Sequence, residues 1–288
     1  MEGFLFLFAV SILWVLFATV QDLKTREVAN WLTFSLIAVA LAFRVSIGIF
    51  LGTWGVLLWG LIGGAVFVGC AYAFYYGRVF AGGDAKLLMG LGLALPYQSL
   101  DGLLTWGSAF LFALFFCGAI YTLVYSIRLV TCHWDRFRKT FRLEFLNQRW
   151  LFALSVVLSG ILAFFASGLL WMFGSVFLFA IPILYAYLQS VERACMIRLM
   201  KPEHLREGDW LLKSVHVAGK TIDASVHGLS LKEIMFLQTH KKSAIIKEGV
   251  PFVPAFLFAY GIMVFFVIRG GPDLSLLSSI LSFLVQAS

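Results

Sequence analysis

Long apolar runs, separated by short polar segments, are the main feature of this sequence. A helix that crosses the hydrocarbon core of a bilayer needs about 20 mostly apolar residues. Eight runs reach or approach that length, at residues 3–21, 28–47, 52–76, 85–99, 103–127, 150–167, 169–189 and 252–269. The fourth run is short, and a further run at 274–286 is expected to lie along the membrane interface. The pattern predicts an all-α polytopic membrane protein with about eight transmembrane helices.

The composition favours a lipid environment for most of the chain. Of the 288 residues, 61% are hydrophobic and only 13% are charged, whereas soluble domains carry about 25% charged residues. The first run, from Gly3 to Val20, has no basic residue before it and no small-residue cleavage pattern after it. We therefore expect it to be a retained transmembrane helix rather than a removable signal peptide.

The basic residues predict the orientation of these helices, because Lys and Arg collect in cytoplasmic loops. If the N-terminus lies outside, 20 of the 22 Lys and Arg residues fall on the inner side of the eight helices. Only Arg44 and Arg269 are then left outside. This distribution accounts for the net charge of +7 without nucleic acid as a partner. It predicts a multi-pass protein of the cell membrane.

Polar segments divide the chain into five parts. We expect a membrane catalytic core at 1–127, a basic cytosolic loop at 128–149, an additional transmembrane hairpin at 150–189, a small cytosolic α+β domain at 190–249, and a C-terminal membrane helix with an interfacial tail at 250–288. The basic loop interleaves Arg and Lys with Trp and Phe, which is typical of a segment that lies on anionic lipid headgroups. Nucleic acid is the weaker alternative for this loop.

The predicted cytosolic domain is the one long stretch with the charge density of a soluble protein, with ten basic and seven acidic residues. Its pattern predicts a hairpin with strands at 210–217 and 221–226 and a turn at Ala218-Gly219. A short helix is predicted after Ser230, and a further strand at 243–247. Gly228-Leu229-Ser230-Leu231 also resembles the serine setting of another intramembrane protease class. A helix cap is the better interpretation, because Ser230 and Glu233 have capping-box spacing.

Two carboxylates at the edges of predicted helices are candidates for chemistry, because ionisable residues in or near a membrane are costly and are usually functional. Asp22 ends the first apolar run, and Asp84 precedes the fourth, 62 residues later. The predicted topology places both at the cytoplasmic face. Peptide hydrolysis needs a base that activates water and an acid that protonates the leaving amine. Two carboxylates that share one proton supply both.

The neighbours of Asp84 fit such a site. Gly82-Gly83 permits unusual backbone angles and close approach of a substrate strand, the start of a helix favours negative charge, and Lys86 adds a positive field. Other interpretations stay open at this point. Asp84 alone is equally well explained as a helix cap, Asp22 as a solvated interfacial charge, and the glycines as packing residues. A proton- or ion-coupled transporter with intramembrane carboxylates is the alternative function.

The segments around both aspartates resemble motifs of the prepilin peptidase family, also called type IV leader peptidases, among which archaeal preflagellin peptidases look closest. Members carry the motifs D-x-[KR], x-P-N and G-x-G-D in this order. The matching segments are Asp22-Leu23-Lys24, Val28-Ala29-Asn30 and Ala81-Gly82-Gly83-Asp84, followed by Lys86. Ala29 replaces the proline of the second motif, and Ala81 replaces the leading glycine of the third.

This resemblance implies a GxGD-type aspartic endopeptidase that removes the short basic leader of type IV pilin-like or archaellin precursors at the cytoplasmic face. It assigns catalysis to two aspartates, Asp22 and Asp84. It assigns a supporting role to five motif residues, Lys24, Asn30, Gly82, Gly83 and Lys86. The implied partners are the precursors and the lipid bilayer, with no nucleic acid.

The resemblance also bears on what this chain lacks or adds. The cysteine-paired loop of the methylating bacterial members is missing, so no N-methyltransferase activity is expected. The five histidines show no metal-binding spacing, and we expect neither a metal nor a cofactor. Residues 128–189 form an additional segment beyond the six transmembrane helices that the resemblance implies.

Overall fold

The structure is a computed structural model that describes residues 2–165, 168–225 and 228–269. In this part of the chain the α-helices are α1 (Glu2–Thr25), α2 (Asn30–Leu51), α3 (Gly55–Tyr76), α4 (Gly82–Ala94), α5 (Leu100–Cys132), α6 (Trp134–Asn147), α7 (Arg149–Phe165), α8 (Leu169–Val191), α9 (Leu231–Thr239) and α10 (Val253–Ile268). The strands are β1 (Ile197–Met200), β2 (Trp210–Leu211), β3 (Val215–Val217), β4 (Lys220–Ile222) and β5 (Ala244–Lys247). The strands therefore occupy one short region between α8 and α10.

Each of the eight apolar runs coincides with a helix. Among the described residues, α1, α2, α3, α5 and α8 are long and apolar enough to cross a bilayer. The pair of α6 and α7 makes a sixth crossing if the two bent helices form one span, and α10 is apolar but shorter. Helix α4, with 13 residues, is also shorter than a bilayer core requires. The membrane-protein fold class is confirmed, while eight crossings stay a prediction.

The chain forms two compact units, and α5 contributes to both. Among the described residues, the first unit comprises 2–124 and 250–269, and the second comprises 125–165, 168–225 and 228–249. Apolar side chains from α1 to α5 and from α10 build the core of the first unit. The first and last described helices pack against each other in this core. The predicted interfacial run near the C-terminus lies outside the described residues.

Residues 128–149, the predicted basic cytosolic loop, are mostly helical. The end of α5 and the whole of α6 cover most of this segment. The reason is a helical period within the basic-aromatic pattern, because Phe137, Phe141 and Glu144 recur on one side of α6 and pack inward. Helix α6 is bent by 66° relative to α7.

The strands of the second unit form a three-stranded antiparallel sheet in the order β1-β5-β2 and a separate hairpin of β3 and β4. The predicted hairpin turn is confirmed, because Ala218 and Gly219 join β3 to β4 with positive φ angles of 46° and 78°. The prediction of a single strand from Trp210 onwards is wrong, because β2 pairs with β5 instead of β4. Val226, the predicted end of the second hairpin strand, lies outside the described residues.

Ser230 and Glu233 form the cap of α9 that their spacing predicts. The main-chain N–H and the hydroxyl of Ser230 both donate to Glu233 Oε2, at 2.8 and 2.7 Å. Both bonds lower the pKa of the Glu233 carboxyl, and the main-chain bond has the larger effect. The Ser230 hydroxyl is therefore engaged in a helix cap, which argues against a nucleophilic serine at this position.

Arg44 is a buried cation in the first unit, although the charge pattern left it among the outer charges. Its side chain lies on α2 and is completely buried. Nε donates to Leu93 O at 2.9 Å, and Nη1 donates to Val56 O at 2.6 Å. Nη2 donates to Leu95 O. Two of these carbonyls end α4, where the helix dipole favours a cation, and all three offset the cost of burying the charge.

Gly60 on α3 leaves the space that Arg44 occupies. A Cβ atom at position 60 would lie 2.4 Å from both Cζ and Nε of Arg44. Because three carbonyls hold the guanidinium, it has little room to move. We expect Gly60→Ala to lower the free energy of unfolding by about 2 kcal/mol, measured by thermal unfolding of the purified protein in detergent.

Gly69→Ala on the same helix is the matched control for this prediction. A Cβ atom at position 69 meets no atom within 4 Å, and alanine favours a helix more than glycine does. The Tm of the control is therefore expected to equal or exceed that of the parent protein. An unchanged Tm for Gly60→Ala would contradict the described position of Arg44.

Candidate active site

Asp22 lies in the last turn of α1 and is buried, with 6% of its surface exposed. Its Oδ2 accepts a hydrogen bond from the main-chain N–H of Val253 at 3.0 Å. Val253 begins α10, and the next residue, Pro254, has no N–H. Since the first N–H groups of a helix lack intrahelical partners, Asp22 caps α10. The interpretation of Asp22 as a solvated interfacial charge is therefore wrong.

Asp84 lies in the first turn of α4 and is similarly buried, with 7% of its surface exposed. Its Oδ2 accepts a hydrogen bond from the main-chain N–H of Ala81, the residue before the helix, at 3.2 Å. The side chain of Ala81 has no polar atom that would cap α4. Asp84 therefore does cap its own helix, as the simpler interpretation predicted, but this cap uses only one carboxyl oxygen.

The structure brings the two aspartates together. Their charges lie close enough to interact, and both belong to the first unit. Each carboxyl group lies at the N-terminal end of a helix, α10 for Asp22 and α4 for Asp84, where main-chain dipoles favour negative charge. Within the described residues, no hydrogen bond reaches Oδ1 of either side chain. These two oxygens therefore accept no hydrogen bond from the described part of the protein.

Two contacts fix α4 against the connection between α1 and α2. A Cβ atom at Gly83 would lie 3.2 Å from Cγ2 and 3.3 Å from the main-chain N of Val28, so the two segments approach closely. Lys86 Nζ donates to Asn30 Oδ1 at 2.6 Å, which joins the first turn of α4 to the first turn of α2. The motif residues Gly83, Lys86 and Asn30 thus position the segments that carry the aspartates.

The two departures from the family motifs have local consequences. The main-chain N–H of Ala29 donates to Gln21 Oε1 at 3.2 Å, a bond that proline cannot form at this position. The main-chain N–H of Ala81 donates to Asp84, and this bond is independent of the side chain at position 81. The alanines therefore leave the backbone arrangement around both aspartates in place.

The two remaining motif residues have simpler surroundings. Lys24 is exposed in the last turn of α1, where its positive charge interacts favourably with the negative end of the helix dipole. Gly82 begins α4, and a Cβ atom there would meet only Tyr75 Cε2, at 3.8 Å. The predicted unusual backbone angles at Gly82 and Gly83 are not observed, because both residues lie in the first turn of a helix and have no positive φ.

The sequence did not predict Val253 as a neighbour of Asp22. The bond between them spans 231 residues, and no periodicity or local spacing reports such a contact. A weak signal was present in Pro254, since proline near a helix start marks a helix whose first N–H groups need other partners. The site therefore includes α10 as well as the two motif segments.

Gly83→Ala tests the close approach of α4 to Val28. The added methyl group has to displace Val28, including its backbone, so we expect a loss of about 1 kcal/mol in the free energy of unfolding. Gly82→Ala is the matched control, because its Cβ atom makes only an ordinary contact. Thermal unfolding of both purified variants measures the difference. Equal Tm values for the two variants would contradict the packing described here.

Comparison with known proteins identifies the region that holds both aspartates. A family model described as the type IV leader peptidase family matches residues 9–127. A search of curated proteins found no match, and neither did a search of solved structures. Asp22, Asp84 and all five motif residues lie within the matched region, whereas α10 lies beyond it. Residues 9–127 of this chain are therefore similar to the type IV leader peptidase family.

Proposed function

We propose that this protein is a membrane aspartic endopeptidase that removes the short basic leader of type IV pilin-like or archaellin precursors at the cytoplasmic membrane face. The observation that carries the proposal is the pair of buried, interacting carboxyl groups of Asp22 and Asp84. Both belong to the region that matches the leader peptidase family. Each has one oxygen held by a main-chain N–H, which fixes its orientation.

The proposed reaction uses the two aspartates as one acid–base unit. Two neighbouring carboxylates do not both ionise readily, so together they hold one proton. The ionised carboxylate takes a proton from water as the water oxygen attacks the scissile carbonyl carbon. The protonated carboxyl then gives its proton to the leaving amine nitrogen as the C–N bond breaks. After both products leave, the proton taken from water restores the starting state.

The apolar surroundings of this unit suit a substrate with a hydrophobic helix. Both aspartates lie at helix ends of a lipid-embedded bundle, Asp22 at the end of α1 and Asp84 at the start of α4. A precursor whose cleavage site directly precedes its hydrophobic helix places that site at the same depth. The positive-inside distribution of Lys and Arg assigns this depth to the cytoplasmic face in our proposal.

We further propose that cleavage occurs without methylation of the new N-terminus. The support is the absence from the sequence of a C-x-x-C pair among Cys70, Cys117, Cys132 and Cys195. Methylating members of the family carry a cysteine-paired cytosolic loop, as the resemblance implies.

Asp22→Asn and Asp84→Asn test the proposed chemistry. Each substitution keeps the side-chain shape but removes one member of the proton-sharing pair. We expect each to lower the rate of cleavage of a pilin-type precursor in detergent or liposomes by about a thousandfold or more. Electrophoresis of the precursor over time measures the rate.

Asp101→Asn is the matched control, because Asp101 is an exposed aspartate at the start of α5. Its cleavage rate is expected to equal that of the parent protein. The Tm of all three variants is recorded, so that a loss of folding is recognised. Normal cleavage by a folded Asp22→Asn or Asp84→Asn variant would end the proposal.

The mass of the cleaved product tests the absence of methylation. The mature chain is produced with S-adenosylmethionine present, and intact-mass spectrometry compares it with the mass of the unmodified sequence. We expect the unmodified mass, since the methylating loop is missing. A product heavier by one methyl group would contradict this part of the proposal while leaving the peptidase chemistry intact.

A further inference from the structure

One side of helix α6 packs against the rest of the second unit. Phe137 is buried, and its ring centroid lies 5.7 Å from that of Tyr187 on α8. Glu144, two turns further along α6, is also buried and forms an ion pair with Arg193. These contacts set the rotation of α6 about its own axis and therefore determine which residues point away from the protein.

The exposed surface of α6 carries four cations. We call this surface the basic face of α6, and its cations are Arg136, Arg138, Lys139 and Arg142. Within the described part of the chain, none of the four forms an ion pair. Asp135 is the one acidic residue in the exposed first turn. The face therefore has a clear excess of positive charge that the protein itself does not neutralise.

Apolar side chains lie among these cations. Leu143 is 62% exposed and Leu146 is 54% exposed, and helical geometry places both on the same side as Lys139 and Arg142. Exposed leucines between arginines are unfavourable against water alone. They are favourable at a bilayer interface, where leucine enters the acyl boundary and arginine remains at the headgroups.

The bend between α6 and α7 fits this environment. Helix α7 is an apolar helix with many exposed large side chains, including Leu154, Val157 and Ile161, which is typical of a lipid-facing helix. Helix α6 departs from the direction of α7 by 66°. A helix that lies along the membrane surface and leads into a helix that enters the bilayer has to bend in this way. Its basic face then lies at the depth of the headgroups.

We propose that the basic face of α6 binds the phosphate groups of anionic phospholipids. Arginine forms paired hydrogen bonds with phosphate, and clusters of Lys and Arg beside a transmembrane helix attract anionic lipid. A nucleic acid would use the cations but would leave Leu143 and Leu146 exposed to water. The basic leader of a pilin-like precursor would be repelled. The proposal does not depend on the peptidase function.

The test measures lipid binding to the full-length protein by native mass spectrometry after delipidation. Phosphatidylglycerol and phosphatidylcholine with the same acyl chains are titrated separately. The test variant is the triple substitution Arg138→Gln, Lys139→Gln and Arg142→Gln. The control is the triple substitution Lys232→Gln, Lys241→Gln and Lys242→Gln, which removes the same charge from three exposed lysines of the second unit.

We expect the parent and the control to bind phosphatidylglycerol more tightly than phosphatidylcholine. The α6 variant should bind phosphatidylglycerol at least fivefold more weakly, because one basic residue at an anionic surface contributes about that factor. Its Tm and its binding of phosphatidylcholine should match those of the parent.

Two outcomes would overturn the proposal. One is an α6 variant that binds phosphatidylglycerol as tightly as the parent or loses no more affinity than the control does. An equal loss in both variants would mean that binding depends only on the total charge of the protein. The other is binding of a short RNA oligonucleotide that the α6 variant loses while its lipid affinity is unchanged, which would assign the face to nucleic acid.

Discussion

A carboxyl group buried in an apolar helical bundle needs hydrogen-bond donors, and this requirement determines the arrangement of the first unit. Asp22 and Asp84 each take a main-chain N–H at the start of a helix, α10 and α4 respectively. Such donors stabilise negative charge. Unlike a lysine or arginine side chain, they do not form a full ion pair that would hold a carboxylate permanently ionised. The ability to exchange a proton is what the proposed acid–base chemistry requires of this pair.

Helix α4 connects this site to the buried cation in the same unit. Its first turn carries Asp84, and Arg44 bonds to the carbonyl groups of Leu93 and Leu95 at its other end. Its 13 residues span about 20 Å. An acidic and a basic side chain thus lie at the two ends of one short helix, each at the end where the helix dipole favours its charged form. The close approach of Gly83 to Val28 holds the first turn of this helix against the connection between α1 and α2.

The sequence predicted local features of this protein better than distant contacts. Apolar run length predicted the positions of the membrane helices, and capping-box spacing predicted the start of α9. The amphipathic pattern of residues 128–149 was recognised in the sequence, but the helix α6 that it forms was not predicted. The burial of Arg44 and the contact of Asp22 with Val253 depend on three-dimensional packing between segments far apart in the chain. No local pattern encodes such contacts, so only the two motif segments of the site were predictable.

The cap that Asp22 provides for α10 has a consequence for biogenesis. The donor of this hydrogen bond, Val253, lies 231 residues after Asp22 in the sequence. Until Val253 has been synthesised and α10 has entered the bundle, Asp22 lacks the contact that orients it. The final orientation of Asp22 therefore depends on a helix that is made long after its own.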